Sequence, residues 1–206
     1  MARRTKEDAE QTKTEILNSA MELFYEKGFA RTTFDEIAKR INLTKGAVYW
    51  HFRNKTDLLA ELMRRKFTEK EQKTWPDRPE VCSISELREY YARSAEAIET
   101  DPGFCKFLFF IIFQMEWSEL VTSQVRQKIR EITDYPQNLL KERLTFIQKS
   151  GEISADINID DLAILLSCTW RGITDAYVSK HYPMNLRHTV LMALDLILDG
   201  IKVENK

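Results

Sequence analysis

Glycine and proline are scarce: 6 and 5 residues in a chain of 206. A chain with so few turn-formers has little room for the many tight connections of a β-sandwich or barrel. Strand-like alternation is equally rare, whereas apolar residues recur at i, i+3/i+4, i+7 throughout. The chain reads as all-α. Cysteine is sparse too. Cys82, Cys105 and Cys168 lie far apart with no CxxC pair. That argues against a zinc site and suits a reducing compartment. The longest apolar run, Phe107 to Phe113, is far too short to cross a bilayer. The opening MARRTKEDAEQT has no apolar h-region of the secretory kind. The expectation is a cytoplasmic chain with no membrane partner. His51, His181 and His188 are the only histidines, and none sits in a Ser/His/Asp, metal-ligand or phosphate-loop arrangement. The reading is therefore not an enzyme, with no metal and no cofactor.

One further absence is local. From Ile37 to Thr56 there is no Asp or Glu, while Lys39, Arg40, Lys45, Arg53 and Lys55 give that window a charge of +5. The net charge of −1 for the whole chain hides this asymmetry: residues 1–66 carry 14 of the 31 Lys+Arg and 10 of the 32 Asp+Glu. A basic front on an acidic rear fits a nucleic-acid-binding head joined to a different kind of body. Hydrophobic residues make up 43%, enough for a core in both parts.

The periodicity predicts about nine helices. The first starts near Thr12, with Glu15 placed for a capping box, and ends at Gly28. Thr33 and Glu36 repeat the signature ahead of a second helix whose Phe34, Ile37, Ala38 and Ile41 face inward. Asn42-Leu43-Thr44 is a turn, with Asn suited to a left-handed backbone. Thr44 caps a third helix from Lys45 to about Phe52, holding Ala47, Val48 and Phe52 to the core. Asn54 caps a fourth, running to about Trp75. Residues 75–83 form a linker. Five helices follow, over roughly 84–100, 102–117, 119–150, 160–180 and 186–203, the third kinked or split at Tyr135-Pro136. The expected division is a helix-turn-helix head, 1–54, and a larger helical body, 55–206.

Two short helices joined by a three-residue turn present the second one to the major groove, which is wide enough to admit it. Once its core residues are set aside, the third helix leaves Lys45, Gly46, Tyr49, Trp50 and His51 outward. Lys45 reaches a phosphate or a guanine edge. Gly46 lets the helix N-terminus approach closely. Tyr49 and His51 donate to phosphates, and Trp50 packs on sugar or thymine methyls. Lys55 adds a cation at the start of the fourth helix, and Thr33 and Thr44 can also donate to phosphate.

These residues resemble the TetR family of transcriptional repressors. The shared pattern is carried by Thr32-Thr33, Ile37-Ala38, Leu43-Thr44-Lys45-Gly46, Val48-Tyr49-Trp50-His51-Phe52, Lys55 and Leu58, across roughly residues 12–63. Asn42 departs from the pattern, where the family usually has glycine. The YWHF spelling and the N-terminal segment look like the AcrR-type repressors of multidrug efflux pumps. The resemblance implies DNA contacts at Thr33, Thr44, Lys45, Gly46, Tyr49, Trp50, His51 and Lys55, a palindromic double-stranded operator, and a homodimer released from DNA by a small hydrophobic or aromatic effector. It also implies the mechanism: effector binding in the body moves the fourth helix, and the two heads no longer match their half-sites.

In the body, the last two helices carry apolar stripes. Leu162, Leu165, Leu166, Thr169, Ile173 and Tyr177 lie on one, and Val190, Leu194, Ile197 and Ile201 on the other, with Leu191 and Leu198 beside it. They offer a four-helix dimer interface, or else packing inside their own domain. The helix at 102–117 is apolar nearly all round and so central. Met63, Phe67, Phe107, Phe110, Gln114, Trp117, Tyr135 and Trp170 are the candidate pocket lining, although Phe-rich helices also serve simply as core. Two other readings stand beside the main one: a family member with no small-molecule inducer, and a thiol redox sensor using Cys105 or Cys168.

Overall fold

The computed structural model describes residues 6–74, 83–119, 121, 123–125, 127 and 136–201. Among them the elements are helical and no strand occurs. In chain order they are α1 (Lys6–Lys27), α2 (Phe34–Arg40), α3 (Lys45–His51), α4 (Lys55–Thr74), α5 (Ile84–Thr100), α6 (Pro102–Phe109) continuing as a π-turn (Phe110–Gln114), α7 (Pro136–Lys149), α8 (Ile159–Val178) and α9 (Leu186–Asp199).

The chain divides into two compact units. One takes the chain up to Phe67 together with 110–133; the other takes 68–109 and everything from 134 on. Of the three crossings, two fall inside described helical segments, within α4 and where α6 becomes the π-turn.

In the first unit, one face of α1 supplies Ile16, Leu17, Ala20 and Phe24 to the core. Phe34, Ile37 and Ala38 of α2 meet them, with Val48 of α3 and Leu58, Leu59 and Leu62 of α4. Each of the larger apolar side chains among them contributes about 1.5–3 kcal/mol by leaving water. Ser19, buried in α1, donates to the Ile37 carbonyl at 3.1 Å and so ties α1 to α2. Gly28 ends α1 with φ +88° and donates to the Phe24 carbonyl.

Local signals and structure agree at most helix ends. Thr33 and Glu36 form a complete capping box on α2. Thr44, Asn54 and Asn158 each accept a hydrogen bond from a first-turn amide of the helix that follows. One cap is corrected. α1 begins six residues before Thr12, whose hydroxyl donates back to the Asp8 carbonyl at 2.8 Å in mid-helix. A Thr-x-x-Glu spacing inside a continuing helix is only a spacing.

In the second unit, α5 packs along α9. α8 packs against α7 and α9, and α6 lies on α5 and α8. Leu87, Tyr91, Ile98, Phe107, Leu144, Leu166 and Leu194 are among its buried residues. Arg88 grips Asp195 through two hydrogen bonds, at 2.5 and 2.8 Å, and Glu99 accepts from the Leu186 amide at the start of α9. The helix expected over 102–117 is α-helical only to Phe109, then widens into the π-turn and stops at Gln114; Trp117 folds back to donate from Nε1 to the Ile111 carbonyl at 2.9 Å. Pro136 opens α7, a first-turn position where its missing N–H costs nothing. Tyr135 lies outside the described residues, and α9 ends four residues before the expected 203.

Candidate nucleic-acid interface

The turn between α2 and α3 is built by Asn42. Its φ is +54°, its amide donates to the Lys39 carbonyl, and the Leu43 amide reaches back to the Ala38 carbonyl at 2.8 Å. This paired closure satisfies carbonyls that the end of α2 would otherwise leave open. It also fixes the direction in which α3 departs. Asn replaces glycine here because its short polar side chain tolerates the left-handed region.

α3 buries Val48 completely, and Phe52 closes the helix from beneath. The opposite side carries the expected contact residues. Trp50 is 72% exposed and Tyr49 is 52% exposed. Tyr49 rests edge-on against Phe34, with ring centroids 5.0 Å apart, and the Lys45 ammonium lies 5.8 Å from the Tyr49 ring. His51 is half-buried, edge-on to Trp50 at 4.5 Å. Thr44 is exposed; its hydroxyl oxygen accepts from the Ala47 amide, which leaves its own proton to donate outward. Thr33 spends more of its hydroxyl internally, accepting from the Glu36 amide and donating to the Glu36 carboxylate at 2.7 Å.

Gly46 is exposed, and a Cβ placed on it would meet nothing closer than the Thr44 Oγ1 at 3.9 Å. The protein's own packing gives no reason for glycine here. Glycine inside a helix costs stability relative to alanine, about 0.5–1 kcal/mol.

The basic window is less bare than its sequence implies. Arg40 is held by Glu26 of α1 through two hydrogen bonds, at 2.7 and 2.8 Å, and Lys39 pairs with Asp35 at 2.8 Å. Lys55, expected as a phosphate contact, turns inward. Its ammonium donates to the carbonyls of Phe29 and Ala30, both at 2.8 Å, and lies 4.9 Å from the Phe29 ring. Burial lowers its pKa from the ordinary lysine value. Among the described residues, Lys45 and Arg53 are the two cations of the window held neither by a carboxylate nor by a backbone carbonyl. Arg53, absent from the expected contact set, is exposed just ahead of α4, where its amide donates to Asp57.

A family model of the tetR family of bacterial regulatory proteins matches residues 16–62, which is α1 to α4. By that match, residues 16–62 belong to the TetR family. It is 35% identical over 134 residues to the transcriptional regulator TtgR of Pseudomonas putida, covering 64% of this chain and 53% of that one. It is 28% identical over 180 residues to the probable acrEF/envCD operon repressor of Escherichia coli, covering 86% and 81%. The match thus spans about half of TtgR but most of the second relative. Among solved structures, SmeT, the repressor of the Stenotrophomonas maltophilia multidrug efflux pump SmeDEF, superposes with a TM-score of 0.73 at 24% identity, covering 96% of this chain and 94% of that one. A SmeT–triclosan complex superposes with a TM-score of 0.76. The fold is that of the TetR family, and the relatives are of the AcrR type.

The remaining expected residues fall in different places. Met63 and Phe110 are buried in the first unit, where Phe110 stacks on Phe24 at 5.7 Å; Phe67, Gln114 and Trp117 are exposed in that unit. Phe107 and Trp170 belong to the second unit, Phe107 fully buried and Trp170 half-buried against Tyr91 at 5.4 Å. In the stripes offered for dimerisation, Leu162, Leu166, Val190 and Leu194 are buried within the chain itself, while Thr169, Ile173, Ile197 and Ile201 are half-buried. The apolar side chains those helices leave in water are Ile164, Leu165, Met192 and Leu196, the last 75% exposed. Cys105 is half-buried with its thiol pKa raised by burial, and Cys168 is exposed. Among the described residues no group of three or more His, Cys, Asp or Glu could hold a metal, and no helix is long and apolar enough to cross a membrane.

Proposed function

We propose that this chain is a ligand-responsive transcriptional repressor that binds a palindromic operator as a homodimer, with residues 1–54 as the DNA-binding domain and 55–206 as the regulatory body. One observation carries the reading. α3 displays Tyr49 and Trp50 to water beside Lys45, on a helix whose glycine answers no internal need. Large aromatic side chains left in water cost free energy unless a partner covers them. A helix of this size fits the major groove.

In that groove, Lys45 meets a phosphate or a guanine edge, and Gly46 brings the first turn of α3 against the backbone. Tyr49, His51 and Thr44 donate to phosphates, Trp50 packs on sugar or methyl groups, and Arg53 adds a phosphate contact. Thr33 and Lys55 act mainly by holding the helix ends that aim α3. One seven-residue helix reads few base pairs, so specificity requires a second copy one or more helical turns away. Ile164, Leu165, Met192 and Leu196 give that copy a surface on α8 and α9.

Release follows from a population shift. α4 contributes residues to both units. An effector that binds one arrangement of the body better than another biases the position of α4, and only by its difference in affinity between the two. The similarity to TtgR, to the acrEF/envCD repressor and to SmeT supports an efflux operon as the regulated target. Lys45→Ala combined with Tyr49→Ala tests the reading: operator affinity is lost while helix content stays unchanged. Retained affinity would refute the assignment of α3.

A further inference from the structure

The second unit contains a groove of about 600 Å³ between the end of α4, the outer face of α5 and the start of α6. Its size suits a small organic molecule and is far larger than an inorganic anion needs. Its chemistry is not that of the aromatic helix. Lys70 lines it, and Lys73, Arg93, Glu96 and Asp101 surround it.

Two cations of the groove are paired; among the described residues Lys70 and the Glu96 carboxylate are not. Lys73 pairs with Asp101 at 3.3 Å, and Arg93 pairs with Glu89 at 2.6 Å. Lys70 has no carboxylate partner among the described residues. Its ammonium donates to the Ser94 hydroxyl at 2.9 Å and lies 5.9 Å from the Tyr90 ring. Arg143 of α7 lies 4.9 Å from that same ring. Glu71, the next residue along α4, acts on Lys70 only at a distance. Burial lowers the Lys70 pKa to about 8. A part-buried ammonium with one hydroxyl as its partner is a costly arrangement, and a negative charge delivered to it offsets the cost.

We propose that this groove binds an organic monocarboxylate, whose carboxylate accepts from the Lys70 ammonium while its carbon skeleton lies along Ala97 and Pro102. Lys70 is a single cation and offers a place for one negative charge. A dianionic phosphate ester would meet Glu96 and Asp101 at the edge. That such an acid acts as an effector rests on the reading of the chain as a repressor; that it binds does not.

The test is calorimetric titration of the full chain with butanoate, hexanoate, octanoate and benzoate, each against its primary amide, which has nearly the same shape and no charge. At least one acid binds about tenfold or more tightly than its amide, the amount a charge-assisted hydrogen bond supplies. Lys70→Met erases that preference with helix content unchanged, and Lys70→Arg keeps part of it. In the unaltered protein the preference fades as pH rises through about 8, where Lys70 loses its proton. Equal binding of acid and amide, an unchanged preference in Lys70→Met, or no binding by any acid at millimolar concentration overturns the proposal. Adding the binding acid to the operator complex separates the two readings. An acid that binds and leaves operator affinity unaltered keeps the site and refutes its effector role. A chain that never binds an operator refutes the repressor reading and leaves the site standing.

Discussion

The ammonium of Lys55 donates to the carbonyl of Phe29 at 2.8 Å while lying 4.9 Å from the ring of the same residue. The start of α4 is thereby clamped to the loop between α1 and α2, which makes Lys55 a brace for the head before it is a contact for DNA. Lys55→Met should lower the melting temperature as well as weaken operator binding, because two carbonyls lose their donor; a net loss of about 1–3 kcal/mol is the usual cost. Thermal denaturation checks this. An unchanged melting temperature with lost DNA affinity would return Lys55 to the phosphate-contact role alone.

Gly46 predicts the opposite pattern. With no neighbour nearer than 3.9 Å to an added Cβ, Gly46→Ala fits the free protein and gains about 0.5–1 kcal/mol of helix stability. Operator affinity should fall because the methyl group stands between α3 and the DNA. A fluorescence-anisotropy titration beside a melting curve measures both.

Acid stability should follow two carboxylates of the first unit. Hydrogen bonds from Lys27 and Thr33 lower the Glu36 pKa to about 2. Burial pushes Glu61 upward, but hydrogen bonds from Arg64 and Lys13 outweigh it and hold it at about 2 as well. Folded values below the ordinary 4.5 mean stability that is present above that pH and is lost as pH falls from about 4.5 toward 2. Melting temperatures across that window should drop steeply, and Glu61→Gln should flatten part of the slope. A slope identical in the variant would remove Glu61 from the account.

The dimer should depend on the outward residues of α8 and α9. Leu196→Arg places a charge on the most exposed apolar position of α9 while leaving the buried Leu194 and Leu198 in place. Sedimentation should show a folded monomer with weakened operator binding. A dimer as stable as the original would move the interface elsewhere.

Local chemistry makes most helix ends legible in the sequence. Thr33 with Glu36, Asn42, Thr44 and Asn54 each act within a few residues of themselves, so spacing alone exposes them. Thr12 shows the limit: its spacing to Glu15 is right, but six further helical residues precede it. Charge is legible as a count and not as an arrangement. Glu26 reaches Arg40 from another helix, and no window of sequence contains both as neighbours in space. The stripes on α8 and α9 are visible, yet periodicity cannot say which side of a helix meets its own core and which meets a second chain. Lys70 is unreadable for a related reason, since its burial depends on α5 closing beside α4. The exposed side of α3 is the most legible part, because a seven-residue helix that buries Val48 must turn Tyr49 and Trp50 away from it.

The central claim is that α3 reads DNA. Selection of bound sequences from a randomised duplex pool, followed by anisotropy titration of the recovered site over a range of salt concentrations, tests it most directly. A palindromic site is expected, with affinity that falls steeply as salt rises because phosphate contacts release counterions. Lys45→Ala should lower that salt slope by about one contact and weaken binding, and Tyr49→Ala with Trp50→Ala should abolish selection of the site. Recovery of no common sequence, or full affinity in a folded chain lacking Lys45, Tyr49 and Trp50, would contradict the account.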